Sequence, residues 1–388
     1  MKNKCEEVKL LRYCKVVKSG VKSFQGQKKY IDTGALKTGK IKNSVFIDFK
    51  TKKSRANMET QKDDILFAKM KDTEKVYLIS KQDEDNIFST GFTVLRVKDK
   101  SKILPKYIYF WLRTKQFQRI KNKECTGATQ KALRESKLEK FTIILPTIQN
   151  QQKIISILEK IDKLTEMRAN ASELTKNYLK SVFLTLFEKT RYDEIYLKDL
   201  VVPERTISYG IVQPGEQIKN GVPIIRPVDI IDNEIDFSKI KTIDPDKAKV
   251  YKKTKLVGGE IIIVVRGEPG ASAITDSKVK GFNLTRGTAI IAVDLNKIEP
   301  LYLLSFLRSQ KAQNYIKLFT KGATLKQINL LDLRNMVIPV PPRKIQKQFL
   351  KINEGVIFIK NYQKQSGHSI EELKQNLMNS VFKGEQIC

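Results

Sequence analysis

The chain has 388 residues, a length that holds roughly two to three domains, and its 40% apolar and 30% charged residues are those of a globular protein with real cores. No apolar run approaches a membrane span, and the opening stretch Met1–Leu11 carries Lys and Glu with no long apolar segment behind it, so neither a span nor a secretion signal is expected and a cytoplasmic location is the default. A single histidine, His368, and four cysteines (Cys5, Cys14, Cys125 and Cys388) without CxxC spacing exclude a His-rich metal site, a disulfide framework and most catalysis built on a His base.

In chain order, the first region alternates short β-rich runs with turn residues: Ser44–Phe49, Asp64–Ala68 and Thr93–Val97. An amphipathic helix is predicted over Lys106–Lys121, then a turn at Gly127-Ala128-Thr129, then a strand over Phe141–Pro146. After Pro146, apolar residues fall at Ile154, Leu158, Ile161, Leu164, Met167, Ala171, Leu174, Tyr178 and Val182, close to a heptad seam. Such a run exceeds an ordinary core helix and predicts a long coiled-coil helix.

The same plan then recurs. Strands are predicted at Gly259–Val265 and Thr288–Val293, a helix at Leu301–Leu318, a turn at Gly322-Ala323-Thr324 and a strand at Met336–Pro341. A second long helix carries Phe349, Ile352, Val356, Ile359 and Tyr362, then Ile370, Leu373, Leu377 and Val381. The interruption holds Gly367, and Ser369 with Glu372 three residues on reads as a capping-box restart, so a kink or split is expected there, with His368 as a turn residue.

This recurrence is a tandem duplication. Pro105, Tyr107, Leu112 and Arg113 match Pro300, Tyr302, Leu307 and Arg308; Gly127-Ala-Thr129 and Lys131 match Gly322-Ala-Thr324 and Lys326; Leu138, Ile143, Pro146 and Gln151 match Leu333, Ile338, Pro341 and Gln346, all at an offset of 195, which Gly26 and Gly221 also keep. At the helix ends, Asn177-x3-Ser181-Val-Phe183 matches Asn376-x3-Ser380-Val-Phe382 at an offset of 199, a difference of about one helical turn, which leaves the buried face in register.

The expected architecture is α+β: two similar globular domains (1–145 and 191–341) separated by two long antiparallel coiled-coil helices (146–190 and 342–388), related by a pseudo-two-fold. Lys plus Arg number 73 against 42 for Asp plus Glu, a net charge of +31. A Lys-biased genome inflates such a figure, but a surface this basic attracts polyanions by phosphate neutralisation and counterion release. Two domains held apart by a rigid spacer suit duplex DNA, where readers related by a two-fold touch two half-sites at fixed spacing. Unlike halves call for unlike half-sites.

The repeated order resembles the specificity subunit of type I restriction-modification systems. The likeness is carried by Thr126-Gly-Ala-Thr-Gln130 through Leu138, Ile143-Ile-Leu-Pro146 and Gln151-Gln-Lys-Ile154, and again by Lys321-Gly-Ala-Thr324, Val337–Pro342 and Gln346. Ser208–Gln213, Gly221–Arg226 and Gly259–Ile263 look like parts of a family recognition domain. The resemblance implies a non-catalytic subunit whose two target recognition domains each read half of a bipartite DNA site. It also implies helices that dock two methyltransferase subunits, and restriction subunits that join through those.

Candidate DNA contacts are Lys28, Lys29, Lys69, Thr129 and Lys131 in the first half and Arg226, Arg266, Lys321, Thr324 and Lys326 in the second. Cations and exposed turn N–H groups suit phosphates, and Arg, Lys, Asn or Gln suit base edges. Enzymatic motifs fall short. Gly34–Ile41 nearly matches a P-loop but lacks its final Ser or Thr. Asp246 and Glu260 resemble part of a nuclease metal site without its lysine. The Pro341-Pro342 pair lacks the flanking residues of an amino-methyltransferase motif, and no GxGxxG loop is present. No cofactor or metal is expected. The alternatives are a self-contained methyltransferase or nuclease with unfamiliar motifs, or a basic nucleic-acid-binding scaffold. A single-stranded RNA reader is disfavoured for want of aromatic stacking patches.

Overall fold

The computed structural model describes residues 6–37, 39–188 and 191–383. They divide into two compact units, Met1–Asn170 with Gln363–Cys388 and Ala171–Tyr362. Both are α+β and follow one plan, so the chain is a structural as well as a sequence repeat.

In the first unit the central antiparallel sheet runs in the order Cys14–Val16, Phe92–Val97, Ile65–Ala68, Val76–Leu78. Ile65–Ala68 is buried at every position, which is why it reads as a continuous apolar run rather than an alternating one. A second sheet joins Val45–Ile47, Lys28–Ile31, Ile87–Ser89 and Ala56–Glu59. The first strand, Glu6–Lys9, pairs antiparallel with Thr142–Leu145, the strand that runs into Pro146.

The second unit repeats these pieces except one strand. Its central sheet is Ser208–Tyr209, Thr288–Ile291, Ile261–Val264, Ser272–Ile274. Its second sheet keeps the strands Lys241–Ile243, Val222–Ile225 and Asn283–Leu284. After Lys241–Ile243, where the first unit continues into Ala56–Glu59, the chain forms a short helix, Pro245–Val250. Asp193–Tyr196 closes on Val337–Val340. The Gly34–Ile41 segment, apart from the undescribed Thr38, is a tiny hairpin pairing Leu36 with Ile41, and Ile230 pairs with Ile235 in the same way. A hairpin has no helix N-terminus on which to seat a phosphate.

The single amphipathic helix expected in each half is two helices. Pro105 opens Pro105–Leu112 in the first turn, where its missing N–H costs nothing. Thr114 then accepts the Phe117 N–H at 3.1 Å and starts Lys115–Glu124. In the other half Ser309 caps Gln310–Phe319 by accepting from Ala312 N–H at 3.4 Å. A hydroxyl cap inside an apolar period restarts the helix.

The long helices are Ile148–Phe183, continued by a π-turn at Leu184–Glu188, and Arg343–Phe382. The second passes through Gly367 without a break. The expected split is therefore absent; the Cβ position at Gly367 is uncrowded, and a single glycine only weakens a helix. His368 is helical and exposed, 3.3 Å from Glu372 one turn on. In the first unit Ile154, Ile155 and Leu158 share a core with Met378, Val381 and Phe382. In the second, Phe183 and Phe187 share one with Phe349. In both units the start of one helix packs beside the end of the other, so the pairing is antiparallel. The expected seam is buried only at these ends. Leu164, Met167, Leu174, Tyr178, Ile359, Tyr362 and Leu373 are exposed, because they lie beyond the reach of either globular core.

Candidate nucleic-acid interface

Each central sheet delivers a strand end to the Gly-Ala-Thr turn. In the first unit Ile65–Ala68 runs on into Lys69-Met70-Lys71. Met70 bridges Ala132, the Lys71 N–H donates to Lys131 O at 3.0 Å, and the Leu133 N–H donates to Lys69 O at 2.9 Å. In the second unit Arg266 bridges Gln327, the Gly267 N–H donates to Lys326 O at 2.8 Å, and the Ile328 N–H donates to Val265 O at 3.0 Å. The two constellations match bond for bond.

The turn itself needs its glycine. Gly127 has φ +138°, and a Cβ there would meet Gln130 O at 2.5 Å; Gly322 has φ +100°, and a Cβ would meet Leu325 O at 2.3 Å. Positive φ and this close approach both require glycine. Thr129 and Lys131, and Lys321, Thr324 and Lys326, stand exposed around the two turns. Of the residues singled out in sequence, Lys69, Thr129 and Lys131 are thus gathered in one place, and Arg266, Lys321, Thr324 and Lys326 in another. Lys69 is half-buried, its ammonium 3.5 Å from Glu135.

The remaining three sit elsewhere. Lys28 and Lys29 lie on the second sheet, Lys29 exposed and the Lys28 ammonium 5.2 Å from the Phe24 ring centre. The Arg226 guanidinium is committed internally: Nε and Nη2 donate to the buried Asp229 carboxylate at 2.9 and 2.6 Å, and Nη2 also donates to Lys239 O at 2.9 Å. This bond holds Arg226 firmly cationic and makes it a clamp of its own loop.

Sequence reasoning missed Lys121. It is fully buried, and its ammonium donates to three backbone carbonyls, Ala68 O at 3.4 Å, Met70 O at 3.2 Å and Thr73 O at 2.5 Å. Burial pulls its pKa down. It ties the strand end that carries Lys69 and Lys71 from beneath. Gln151 and Gln346, noted only as repeated residues, are also buried struts. Gln151 accepts the Leu104 N–H at 2.9 Å and donates to Pro146 O at 2.9 Å; Gln346 accepts the Glu299 N–H at 2.8 Å and donates to Pro341 O at 2.7 Å. Each fastens a long helix to the start of its short helix.

Glu260 and Asp246 do not form a metal site. Glu260 is buried and accepts from Val257 N–H at 2.8 Å, Gly258 N–H at 2.9 Å and Thr275 Oγ1 at 2.7 Å, with Arg205 at 2.8 Å. Burial opposes its ionisation, but these donors prevail and hold its carboxyl below the usual range. Asp246 is exposed and paired with Lys249 at 2.8 Å. Among the described residues no cluster of three His, Cys, Asp or Glu could hold a metal ion, and no helix is long and apolar enough to cross a membrane. Cys14 and Cys125 are buried free thiols; Cys5 and Cys388 lie outside the described residues.

Comparison with known proteins agrees with this repeat. The family model for the type I restriction modification DNA specificity domain matches residues 4–175 and 212–366. The chain is 27% identical over 198 residues to the type I restriction enzyme EcoBI specificity subunit of Escherichia coli, covering 50% of this chain and 42% of that one. It is 33% identical over 181 residues to the putative type I restriction enzyme MjaX specificity subunit of Methanocaldococcus jannaschii, covering 43% of this chain and 41% of that one. The chain thus spans less than half the length of these two relatives. A solved chain from work on complex assembly and conformational transition of the type I R-M system superposes with a TM-score of 0.68 at 20% identity, covering 99% of both chains, which is a likeness of fold. With the family's domain matched twice across most of its length, this chain belongs to the type I restriction modification DNA specificity family.

Proposed function

We propose that this chain is the DNA sequence-specificity subunit of a type I restriction-modification complex and does no chemistry itself. Residues 1–145 and 191–341 are its two target recognition domains, each reading one half of a bipartite, asymmetric site on double-stranded DNA. Residues 146–190 and 342–388 are the helical spacers. Two methyltransferase subunits dock on the exposed helix faces, and restriction subunits join through them in the cytoplasm.

The observation that carries this reading is the constellation of strand end and Gly-Ala-Thr turn, built twice on one hydrogen-bond plan but with different side chains, Lys69-Met70-Lys71 against Val265-Arg266-Gly267. A shared frame with unlike contacts fits two unlike half-sites, and the net charge of +31 fits phosphate binding. Lys28, Lys29, Lys69, Thr129 and Lys131 serve the first half-site; Arg266, Lys321, Thr324 and Lys326 serve the second. Arg226 supports its loop rather than reading bases.

The test is selection of bound duplexes from a random library, with the chain co-expressed with an adenine methyltransferase encoded beside it. Two short, different half-sites at one fixed spacing are expected. Loss of any sequence preference at a salt level that still holds DNA would sink the reading. Turnover of DNA by the purified chain alone, given magnesium and S-adenosylmethionine, would sink its non-catalytic part.

A further inference from the structure

The two constellations share a backbone and differ in the side chains at the strand end, with Met70 in one and Arg266 in the other at its centre. Met70 and Arg266 occupy the same place: each follows the central strand by two residues and bridges the far side of the Gly-Ala-Thr turn, at Ala132 and Gln327. The Met70 sulfur accepts from Gln130 Nε2 at 2.9 Å. The Arg266 side chain has no such partner. It is half-buried, and its Nε is shut off from solvent without an acceptor.

The other arginines of the second unit put this in relief. Arg205 pairs with Glu260, Arg226 with Asp229 and Arg343 with Glu299, while Arg308 and Arg334 donate to backbone carbonyls. Arg191 and Arg286 are exposed to water. Arg266 alone among the described arginines of this unit combines partial burial with an unmet donor. No carboxylate lies within ion-pairing distance of it among the described residues, Glu268 included. Buried donors nearly always find acceptors; Nε itself is closed off, but the half-exposed side chain has no partner in the described chain, so its guanidinium is available to an acceptor from outside.

The acceptor is a base edge rather than a phosphate for a reason the repeat supplies. What both halves share, the Gly-Ala-Thr turn with its exposed N–H groups and Lys131 or Lys326, suits what every half-site shares, the phosphate backbone. What the halves do not share at an identical backbone position can carry sequence. An arginine reaching a major-groove edge pairs with the O6 and N7 acceptors of guanine, whereas an apolar methionine offers contact to a thymine methyl. Gly267 leaves the approach open: it has φ +94°, and no atom lies within 4 Å of its Cβ position. We infer that Arg266 is the specificity-determining residue of the second half-site and reads a guanine there, and that Met70 holds the matching place over a non-guanine base in the first.

This inference rests on the DNA-specificity reading, and one experiment separates the two. Bound duplexes are selected from a random library with the wild-type complex and with Arg266→Gln, Arg266→Met and Met70→Arg. The wild type should show an invariant guanine in the second half-site. Arg266→Gln and Arg266→Met should lower that preference by about tenfold at that one position, glutamine turning it toward adenine, with the first half-site unchanged. Met70→Arg should install a guanine preference in the first half-site, so the idea stands testable even where an Arg266 variant folds poorly. Equal weakening on all duplexes with unchanged preferences would make Arg266 a phosphate contact and overturn the inference. So would a second half-site without an invariant guanine, or a Met70→Arg variant that folds and keeps the wild-type preference. A wild type that selects no bipartite sequence would fail the functional reading first, before any variant is compared.

Discussion

The two units join their globular parts to the long helices through a shared aromatic contact that each reinforces differently. In the first, Arg113 donates to Asp162 at 2.6 and 3.1 Å, and Lys374 reaches the same carboxylate at 2.7 Å. One short helix and both long helices thus meet at an ion triad. In the second unit the equivalent Arg308 turns inward and donates to Asn233 O at 2.7 Å and Ser272 O at 2.6 Å; burial pushes its pKa down to about 10. There the helices are held by Phe183, Phe187, Tyr302 and Phe349, with ring centres 4.5 to 6.0 Å apart. The duplicated fold has kept one aromatic contact in both joints, Tyr107 with Phe382 at 5.1 Å and Tyr302 with Phe183 at 6.0 Å, and has reinforced it with an ion triad in the first unit and with Phe187 and Phe349 in the second. The lesson is that backbone frame and joint chemistry diverge independently, so each joint should fail under its own stress.

The largest expected effect is on the aromatic joint. Phe187→Ala or Phe349→Ala should cost about 3–5 kcal/mol, read by hydrogen exchange as faster opening of the second unit with the first unchanged. Equal loosening of both units would break the comparison. Next comes Lys121, whose counterpart in the second unit is the buried Ile316. Lys121→Ile would strand carbonyls that Lys121 now satisfies, at roughly 1–3 kcal/mol. The Lys71 and Leu133 amides should exchange faster, while the matching Gly267 and Ile328 amides should not.

The ion triad should answer to pH. Burial tends to raise the Asp162 pKa, but Arg113 and Lys374 outweigh it and hold the carboxyl below its usual range. A depressed folded pKa means that the stabilisation is complete above the unfolded value of about 3.9 and is lost as pH falls through the lower folded value. With the carboxylate a third exposed, Asp162→Asn should cost about 1–2 kcal/mol. Asp162→Asn should flatten the pH dependence of the first unit's stability below pH about 4, as acid titrations of variant and wild type would record, while leaving the second unit's dependence, which Glu260 carries by the same sign, unchanged. Smallest are the caps: Thr114→Ala and Ser309→Ala should each cost about 1 kcal/mol, the former slightly more because its bond is the shorter, as thermal melts of the two variants would record.

The duplication was legible because its offset of 195 holds across Gly127, Gln151 and their partners, and periodicity located the strands and the long helices. The helix break was hidden because Thr114 and Ser309 each sit in a four-residue polar run, Arg113–Gln116 and Arg308–Lys311, which reads as the solvated face of one helix until the hydroxyl is seen capping. The exposure of the middle of the seam was not legible: period alone does not say what lies opposite Leu164 or Tyr178. Part of the candidate site was legible, since glycine at Gly127 and Gly322 announced special backbone. Lys121 was not, because its acceptor carbonyls lie about fifty residues away in sequence. Arg226 looked like a groove contact, and only Asp229, three residues on, hinted otherwise.

In each unit the opening strand lies against the closing one, Glu6 opposite Leu145 and Asp193 opposite Val340. The chain therefore enters and leaves each globular part at neighbouring points, as a drawer enters and leaves by one face of a cabinet. A crossover between genes that falls just outside such a strand pair would replace the whole interior as a cassette while every hydrogen bond at the seam is reconstituted. On the proposed function, a new specificity would then be reachable in a single genetic exchange, with no need to walk residue by residue through intermediates that read nothing.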